Sequence, residues 1–167
     1  MSIVFKSRVF AVEVTRQRFP NGREHEITVV RHGPSVVLLP IASDGRVILI
    51  RQFRASVDRE LWEVPAGGLH AGETPEDAAA RECEEEIRLV PRKLERIRGL
   101  YPAPGFCDEE LIFFRVSQLE PPPPDSTRRP DDDEDIYVQP FTVAEARAMV
   151  ATSEIVDLKT AYALTLA

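Results

Sequence analysis

Residues 67–89 read GGLHAGETPEDAAARECEEEIRL and contain the clearest helix signal in the chain. Thr74 can cap the first helical amides through its hydroxyl, and Pro75 suits the first helical position. We predict that the helix runs to about Arg88, because Pro91 discourages its continuation. Its expected apolar stripe consists of Ala79, Ala80, Cys83 and Ile87.

Three glutamates are predicted to share one face of this helix. Glu82, Glu85 and Glu86 stand at i, i+3 and i+4, which places them within roughly 100° of arc. Like charges at this spacing destabilise a helix by roughly 0.2–0.5 kcal/mol per pair. Carboxylate oxygens are hard ligands that suit Mg²⁺ or Mn²⁺, so the cluster indicates a metal site. A solvated acidic face is the alternative interpretation.

The flanking residues favour the metal site, because their spacing resembles the Nudix box, G-x5-E-x7-R-E-U-x-E-E-x-G-U, where U is bulky and aliphatic. The positions in register are Gly67, Glu73, Arg81, Glu82, Glu85, Glu86 and Leu89. The resemblance implies an enzyme that uses divalent metal ions and water to cleave a diphosphate within a nucleotide derivative. It also implies Mg²⁺ or Mn²⁺ as the cofactor, at two or three ions per site.

Roles for single residues follow from the same resemblance. The implied metal ligands, which are also catalytic residues, are Glu82, Glu85, Glu86 and the backbone carbonyl of Ala66. Arg81 would orient a carboxylate through a charge-assisted hydrogen bond, and Glu73 would brace the loop before the helix. Two positions depart from the box: Cys83 replaces an aliphatic residue, and Arg88 replaces a glycine where a left-handed conformation is expected. A non-glycine residue there costs about 1 kcal/mol.

The rest of the chain predicts an α+β fold. Strand-like runs at 7–18 and 24–32 flank Pro20-Asn21-Gly22, a strong hairpin signal. A second hairpin is expected from 35–41 and 46–53, followed by strands at 61–64, 94–102, 110–117 and 135–140. Helices are expected at 143–151 and 157–166. The resemblance implies a Nudix-type α/β/α sandwich around one mixed sheet over 35–167, with 1–34 as an N-terminal β-hairpin extension.

Composition restricts the class of protein. The 167 residues form a normal single-domain length, and 21 basic against 28 acidic residues give a net charge of −7. This balance argues against nucleic acid or an anionic membrane surface as a partner. Cys83 and Cys107 are too few for a disulfide framework, and no stretch of the sequence resembles a signal peptide or a membrane span. We therefore expect a cytoplasmic protein.

Outside the box, the chain resembles the ADP-ribose pyrophosphatase branch of the Nudix family. The matching segments are VILIRQFR (47–54), WEVPAGG (62–68), PAPGFCDEE (102–110) and EIVDLKT (154–160). Pro104 lies fifteen residues after Leu89, a spacing associated with ADP-ribose enzymes. The expected substrate-binding residues are Arg51, Arg54, Glu63, Pro104, Gly105 and Glu109. Strand alternation puts Arg51 and Arg54 on opposite faces, which favours Arg54 alone as the phosphate contact.

The candidate general base is a carboxylate of the acidic run 131–135. The branch places a glutamate four residues before the hydrophobe that matches Ile136, and Asp132 occupies that position here, with Asp133 and Glu134 as neighbours. The preceding stretch, from 120, is expected to be a mobile loop too polar and proline-rich to pack. No serine, cysteine or histidine constellation resembles a hydrolase triad, so direct attack by water is expected.

Three functions stay open at this point. The first is hydrolysis of ADP-ribose to AMP and ribose 5-phosphate. The second is hydrolysis of another nucleoside diphosphate sugar, such as GDP-mannose. The third is a non-catalytic Nudix-fold binding module, against which the retained carboxylates argue. By resemblance we also expect a homodimer that uses the N-terminal extension.

Overall fold

The computed structural model describes residues 2–130 and 135–167. Asp131–Glu134, which include the candidate base Asp132 and its neighbour Asp133, lie outside the described residues. In chain order the elements are β1 (Ser2–Lys6), β2 (Phe10–Arg18), β3 (Glu24–His32), β4 (Ser35–Pro40), β5 (Val47–Arg54), β6 (Arg59–Glu63), β7 (Ala66–Gly68), α1 (Pro75–Ile87), β8 (Val90–Leu100), β9 (Leu111–Glu120), β10 (Tyr137–Phe141), α2 (Val143–Ala151) and α3 (Leu158–Thr165).

The N-terminal hairpin forms as predicted, within a separate three-stranded antiparallel sheet of order β1-β2-β3. At its turn, the amide of Gly22 donates to the carbonyl of Phe19 (2.9 Å), and Gly22 has a φ of 80°. Glycine adopts this angle without steric cost. The strand β1 was not predicted, and β2 begins at Phe10 rather than at residue 7.

The second predicted hairpin forms only at its turn, where the amide of Ala42 donates to the carbonyl of Arg46 (2.9 Å). Its two strands exist but belong to different sheets. The strand β4 lies in the mixed sheet β7-β4-β9-β8, where it runs parallel to β9, whereas β5 lies in the sheet β10-β5-β6. An isolated antiparallel bridge between Ile41 and Val47 joins their adjacent ends. Val36–Leu39 and Val47–Ile50 are buried along their whole length, so neither strand has the polar face of a simple hairpin. The core therefore contains two sheets rather than one.

Helices cover the sheets on two sides, which confirms the α+β class. On one side α1 packs against residues Val36, Leu38, Ile48, Ile50, Ile112 and Phe114. On the other side α2 and α3 pack against Val37, Leu39, Val47, Leu49, Val64 and Phe113. Alternate side chains along the same strands therefore pack into core clusters on opposite faces of the sheets. Among the described residues, no helix is both long and apolar enough to cross a bilayer.

The bounds of α1 agree with the sequence prediction. The hydroxyl of Thr74 accepts from the amide of Asp77 (3.1 Å), and Arg88 ends the helix in the left-handed conformation with a φ of 59°. The apolar stripe differs by one residue, since Ala78 is buried while Ala80 is only half-buried. Burial, followed by the charges of Glu86 and Glu84, raises the pKa of Cys83 to about 12, so this thiol packs as a small hydrophobe.

Candidate active site

The strand β7 lies beside α1, and Gly67 of this strand lies against the side chain of Glu82. A Cβ added to Gly67 would lie 1.9 Å from Oε1 of Glu82 and 2.5 Å from its Oε2. Any side chain at position 67 would therefore occupy the place of the Glu82 carboxylate. The glycine leaves room for a carboxylate that is itself buried.

Arg81 is the centre of an ion-pair network at this place. Its Nη1 donates to Oε1 of Glu82 (2.7 Å) and to Oε2 of Glu85 (2.8 Å). Its Nε donates to Oε1 of Glu73 (2.9 Å), and its Nη2 donates to the carbonyl of Gly68 (2.9 Å) and to Oε2 of Glu73 (3.0 Å). One guanidinium thus joins the loop before α1, the strand β7 and two carboxylates of α1.

Glu73 braces the loop before α1, as predicted. Besides its bonds with Arg81, its Oε2 accepts from the amide of His70 (2.9 Å). The hydrogen bond from Arg81 holds the pKa of the Glu73 carboxyl at about 2. Burial alone would lower the pKa of Arg81, but its hydrogen bonds and charge interactions with the glutamates raise it above its ordinary value. The Glu73–Arg81 pair therefore stays ionised at neutral pH.

The third carboxylate of the cluster, Glu86, is held by the first residue of β7. Its Oε2 accepts from the backbone amide of Ala66 (3.0 Å), and its side chain is almost completely buried. Glu82, Glu85 and Glu86 therefore all lie at the junction of α1 and β7, and hydrogen bonds orient all three.

The donor set of this junction fits a divalent metal ion chemically, because carboxylate oxygens are hard ligands. Within residues 2–130 and 135–167, no three His, Cys, Asp or Glu side chains are grouped closely enough to hold an ion. Because Nη1 of Arg81 donates to both Glu82 and Glu85, these two carboxylates are held in the ion-pair network.

A second charged group connects β5, β6 and α3. Arg54 donates through Nε and Nη2 to the two carboxylate oxygens of Glu63, at 2.7 Å each, and Lys159 also contacts Glu63. Lys159 in turn lies 3.1 Å from Asp157. Although burial opposes ionisation, the hydrogen bond from Arg54 and the charge of Lys159 lower the pKa of Glu63. Glu63 is 1% exposed, so it orients the two cations rather than facing solvent.

Arg51 lies away from this group, as strand alternation predicts. Its guanidinium carbon lies 5.5 Å from the centre of the Trp62 ring and 5.3 Å from that of Tyr137. Trp62 packs against the core cluster on the α2 and α3 side. Arg51 and Arg54 therefore do not converge on one point.

The loop between β8 and β9 packs against the N-terminal sheet. The amide of Val30 donates to the carbonyl of Phe106 (2.7 Å), and the amide of Asp108 donates to the carbonyl of Val30 (3.2 Å). Glu109 accepts from the hydroxyl of Ser35 (2.8 Å). Pro104 and Gly105 are exposed at the tip of this loop.

Comparison with known proteins agrees with this geometry. A model of the NUDIX domain matches residues 31–160. The chain belongs to the Nudix family. The ADP-ribose pyrophosphatase of Bacillus subtilis (strain 168) is 35% identical over 161 residues, which cover 96% of this chain and 86% of that protein. The ADP-ribose pyrophosphatase of Mycobacterium tuberculosis (strain ATCC 25618 / H37Rv) is 32% identical over 150 residues, 89% of this chain and 72% of that protein.

The fold is also found in a solved structure, described as an ADP compounds hydrolase. It superposes with a TM-score of 0.84 over 99% of this chain and 88% of the other, at 23% identity. At this identity the likeness concerns the fold alone. The Nudix box thus corresponds to the β7–α1 junction, where Gly67, Arg81 and the glutamates meet.

Sequence reasoning missed two groups of residues around this Nudix site. The first is Lys159, together with Thr160, whose hydroxyl accepts from the amide of Val64 (2.8 Å). The segment EIVDLKT (154–160) contains both residues, but their contacts with Glu63 and Val64 span 96 positions of the chain. The second is the outer side of α1, where Glu84 contacts Ser126 and Arg128. Most described residues of the proline-rich loop are exposed, but Ser126 and Arg128 nevertheless contact α1.

Proposed function

We propose that this Nudix hydrolase cleaves the diphosphate bond of ADP-ribose, with water, to give AMP and ribose 5-phosphate. The observation that carries the proposal is the β7–α1 junction, where Arg81 binds Glu82 and Glu85 and the amide of Ala66 binds Glu86. The relatives named ADP-ribose pyrophosphatase, similar over most of the chain, support this substrate over GDP-mannose.

In this proposal the carboxylates of Glu82, Glu85 and Glu86, with the carbonyl of Ala66, hold two or three Mg²⁺ or Mn²⁺ ions. When bound, these ions would neutralise charge on the diphosphate and make water more acidic. Arg81 would keep the Glu82 and Glu85 carboxylates in place through charge-assisted hydrogen bonds. Gly67 would keep space for Glu82 beside the strand.

Substrate binding is assigned to residues around this junction. Arg54 would contact a phosphate, held in position by its paired hydrogen bonds with Glu63. Arg51, which lies beside the rings of Trp62 and Tyr137, is a weaker candidate than the sequence resemblance implies. On the loop between β8 and β9, Glu109 would accept from a ribose hydroxyl, and Pro104-Gly105 would bring the backbone close to the ligand.

The general base is proposed to be Asp132, with Asp133 or Glu134 as substitutes. A base that acts mainly in the transition state affects kcat more than KM. Asp132→Asn should therefore lower kcat with little change in KM, and Asp132→Glu should retain or raise activity. If Asp132→Asn is silent while Glu134→Gln loses activity, the role moves to Glu134. If both are silent, Glu85 and Glu109 are the next candidates.

We also propose that residues 1–34 form a homodimer interface and that residues 35–167 form the catalytic domain. A cytoplasmic location belongs to the same proposal. Several apolar side chains of β1 and the following turn support the dimer, because Ile3, Val4, Phe5 and Val9 are each more than half exposed. The free cysteines Cys83 and Cys107 suit a reducing compartment.

A substrate panel tests the activity. ADP-ribose, GDP-mannose and a nucleoside triphosphate should be compared with and without Mg²⁺, with the products identified by chromatography. We expect AMP and ribose 5-phosphate from ADP-ribose, and a loss of at least about 100-fold in kcat for Glu86→Gln. The matched control is Glu76→Gln, an exposed glutamate in the first turn of α1. Preference for another substrate, or full activity of Glu86→Gln at saturating Mg²⁺, would overturn the proposal.

A further inference from the structure

The outer side of α1 has a buried carboxylate that the proposed chemistry does not use. Glu84 follows Glu82 by two positions and precedes Glu86 by two, so it points about 200° away from both. Its side chain is nevertheless only 7% exposed. Its Oε1 accepts from the hydroxyl of Ser126, and its Oε2 accepts from Nη1 of Arg128 at 3.1 Å.

A second contact joins the same loop to the end of α1. The side chain of Arg88 donates through Nη1 to the backbone carbonyl of Arg128. Arg88 stands in the left-handed region, where a side chain costs about 1 kcal/mol relative to glycine. Arg88, one of the two residues that depart from the Nudix box, therefore contacts the loop through its side chain.

We propose that these four residues form a clasp that positions the loop for hydrolysis. The α1–loop clasp consists of Glu84, Arg88, Ser126 and Arg128. If the loop moved away, Glu84 would lose its ion pair with Arg128 and its hydrogen bond with Ser126, which opposes such movement. In this proposal Glu84 and Arg88 are positioning residues, and the inner face of α1 carries the reactive carboxylates.

The role in hydrolysis rests on the proposed function, through the order of residues along the chain. Arg128 lies three residues before the acidic run that begins at Asp131 and contains the proposed base, Asp132. Asp132 follows Arg128 by four residues, so we propose that anchoring Arg128 to α1 favours the productive position of the base. Loss of the clasp should therefore lower kcat while substrate binding is unchanged, because orientation of a reacting group affects the transition state.

The first arm of the test measures the clasp without any substrate. Trypsin cleaves after arginine, and Arg128 is held by Glu84 in the intact protein, so cleavage between Arg128 and Arg129 reports opening of the clasp. Removing one charge-assisted hydrogen bond should increase opening by roughly 10-fold or more. We therefore expect Glu84→Gln to raise the rate at which the fragment beginning at Arg129 appears by about 10-fold. Glu76→Gln, the same change on an exposed site of the same helix, should leave this rate unchanged.

The second arm measures ADP-ribose hydrolysis by the full chain. For Glu84→Gln and Arg128→Gln we expect kcat to fall by roughly 10-fold with KM and the Mg²⁺ concentration for half-activation unchanged. Arg128→Lys retains a cation for Glu84 and should recover most of the activity, which a purely local packing role would not predict. The double variant Glu84→Gln/Arg128→Gln should lose no more kcat than either single variant, since both changes remove the same contact.

Each outcome decides a separate question. An unchanged cleavage rate in Glu84→Gln would show that the clasp does not hold the loop. Faster cleavage with wild-type kcat would overturn the positioning role. A lower kcat accompanied by a weaker response to Mg²⁺ would instead place Glu84 in the metal site. If the wild-type protein does not hydrolyse ADP-ribose, the proposed function fails, and the tryptic rates still decide whether the clasp exists.

Discussion

A single glycine sets the position of one reactive carboxylate at the residue scale. The missing side chain of Gly67 leaves the space that Glu82 occupies, with a would-be Cβ only 1.9 Å from Oε1. Gly67→Ala should therefore displace Glu82 and lower kcat by roughly 100-fold, the scale of losing a major electrostatic group. Steady-state kinetics with ADP-ribose measures this effect. Gly33→Ala is the control, because no heavy atom lies within 4 Å of its added Cβ. Equal activity of the two variants would contradict the packing argument.

Glu73 predicts a pH dependence of stability. The hydrogen bond from Arg81 holds its pKa at about 2 in the folded protein, below the ordinary value of 4.5. A depressed carboxyl pKa adds stability that is complete above the unfolded pKa and is lost as the pH falls towards the folded pKa. The free energy of unfolding should thus fall between about pH 5 and pH 2, and less steeply in Glu73→Gln.

Urea denaturation at several pH values between these limits checks the Glu73 prediction, since the variant shares the other carboxylates with the wild-type protein. Parallel stability curves for the two proteins would show that Arg81 does not perturb Glu73 in solution.

At the scale of one element, α1 combines a well-capped start with a strained end. Arg88 has a φ of 59°, a conformation that glycine adopts freely and other residues do not. Arg88→Ala should be less stable than Arg88→Gly by about 1 kcal/mol, because both lose the side-chain contact and only alanine keeps the strain. Chemical denaturation measures this difference. At Ala80, inside the helix, the sign should reverse, with glycine less stable than alanine. The same order at both positions would rule out strain at Arg88.

At the scale of the whole molecule, the N-terminal sheet leaves apolar surface uncovered. Phe5 is 52% exposed and packs against Phe10, with ring centres 5.8 Å apart. If this sheet forms the homodimer interface, Phe5→Asp should convert the protein to a monomer, because a buried charge without a partner disfavours association. Sedimentation at micromolar concentration should give 18.8 kDa for this variant and about twice that mass for the wild-type protein.

The control for the dimer is Phe53→Asp, since Phe53 is 54% exposed but belongs to the sheet β10-β5-β6. It should remain dimeric. A monomeric wild-type protein, or dissociation by Phe53→Asp alone, would contradict an interface on the N-terminal sheet.

Short-range chemistry was enough to predict much of this protein. The helix α1 begins after the capping hydroxyl of Thr74 and ends at the left-handed Arg88, as expected. Asn21-Gly22 forms the predicted hairpin turn. These signals depend on interactions within a few residues, so they do not depend on how distant parts of the chain pack. The face shared by Glu82, Glu85 and Glu86 follows from helix periodicity in the same way.

The tertiary structure decided which distant segments meet. The strand β4 pairs with β9 in parallel rather than with its neighbour β5, because strands buried on both faces have no polar side to specify a local partner. Lys159 reaches Glu63 across 96 positions, and Glu84 holds Ser126 and Arg128 across more than 40. Such contacts depend on how whole layers of secondary structure pack together. A local pattern of residues does not determine that packing.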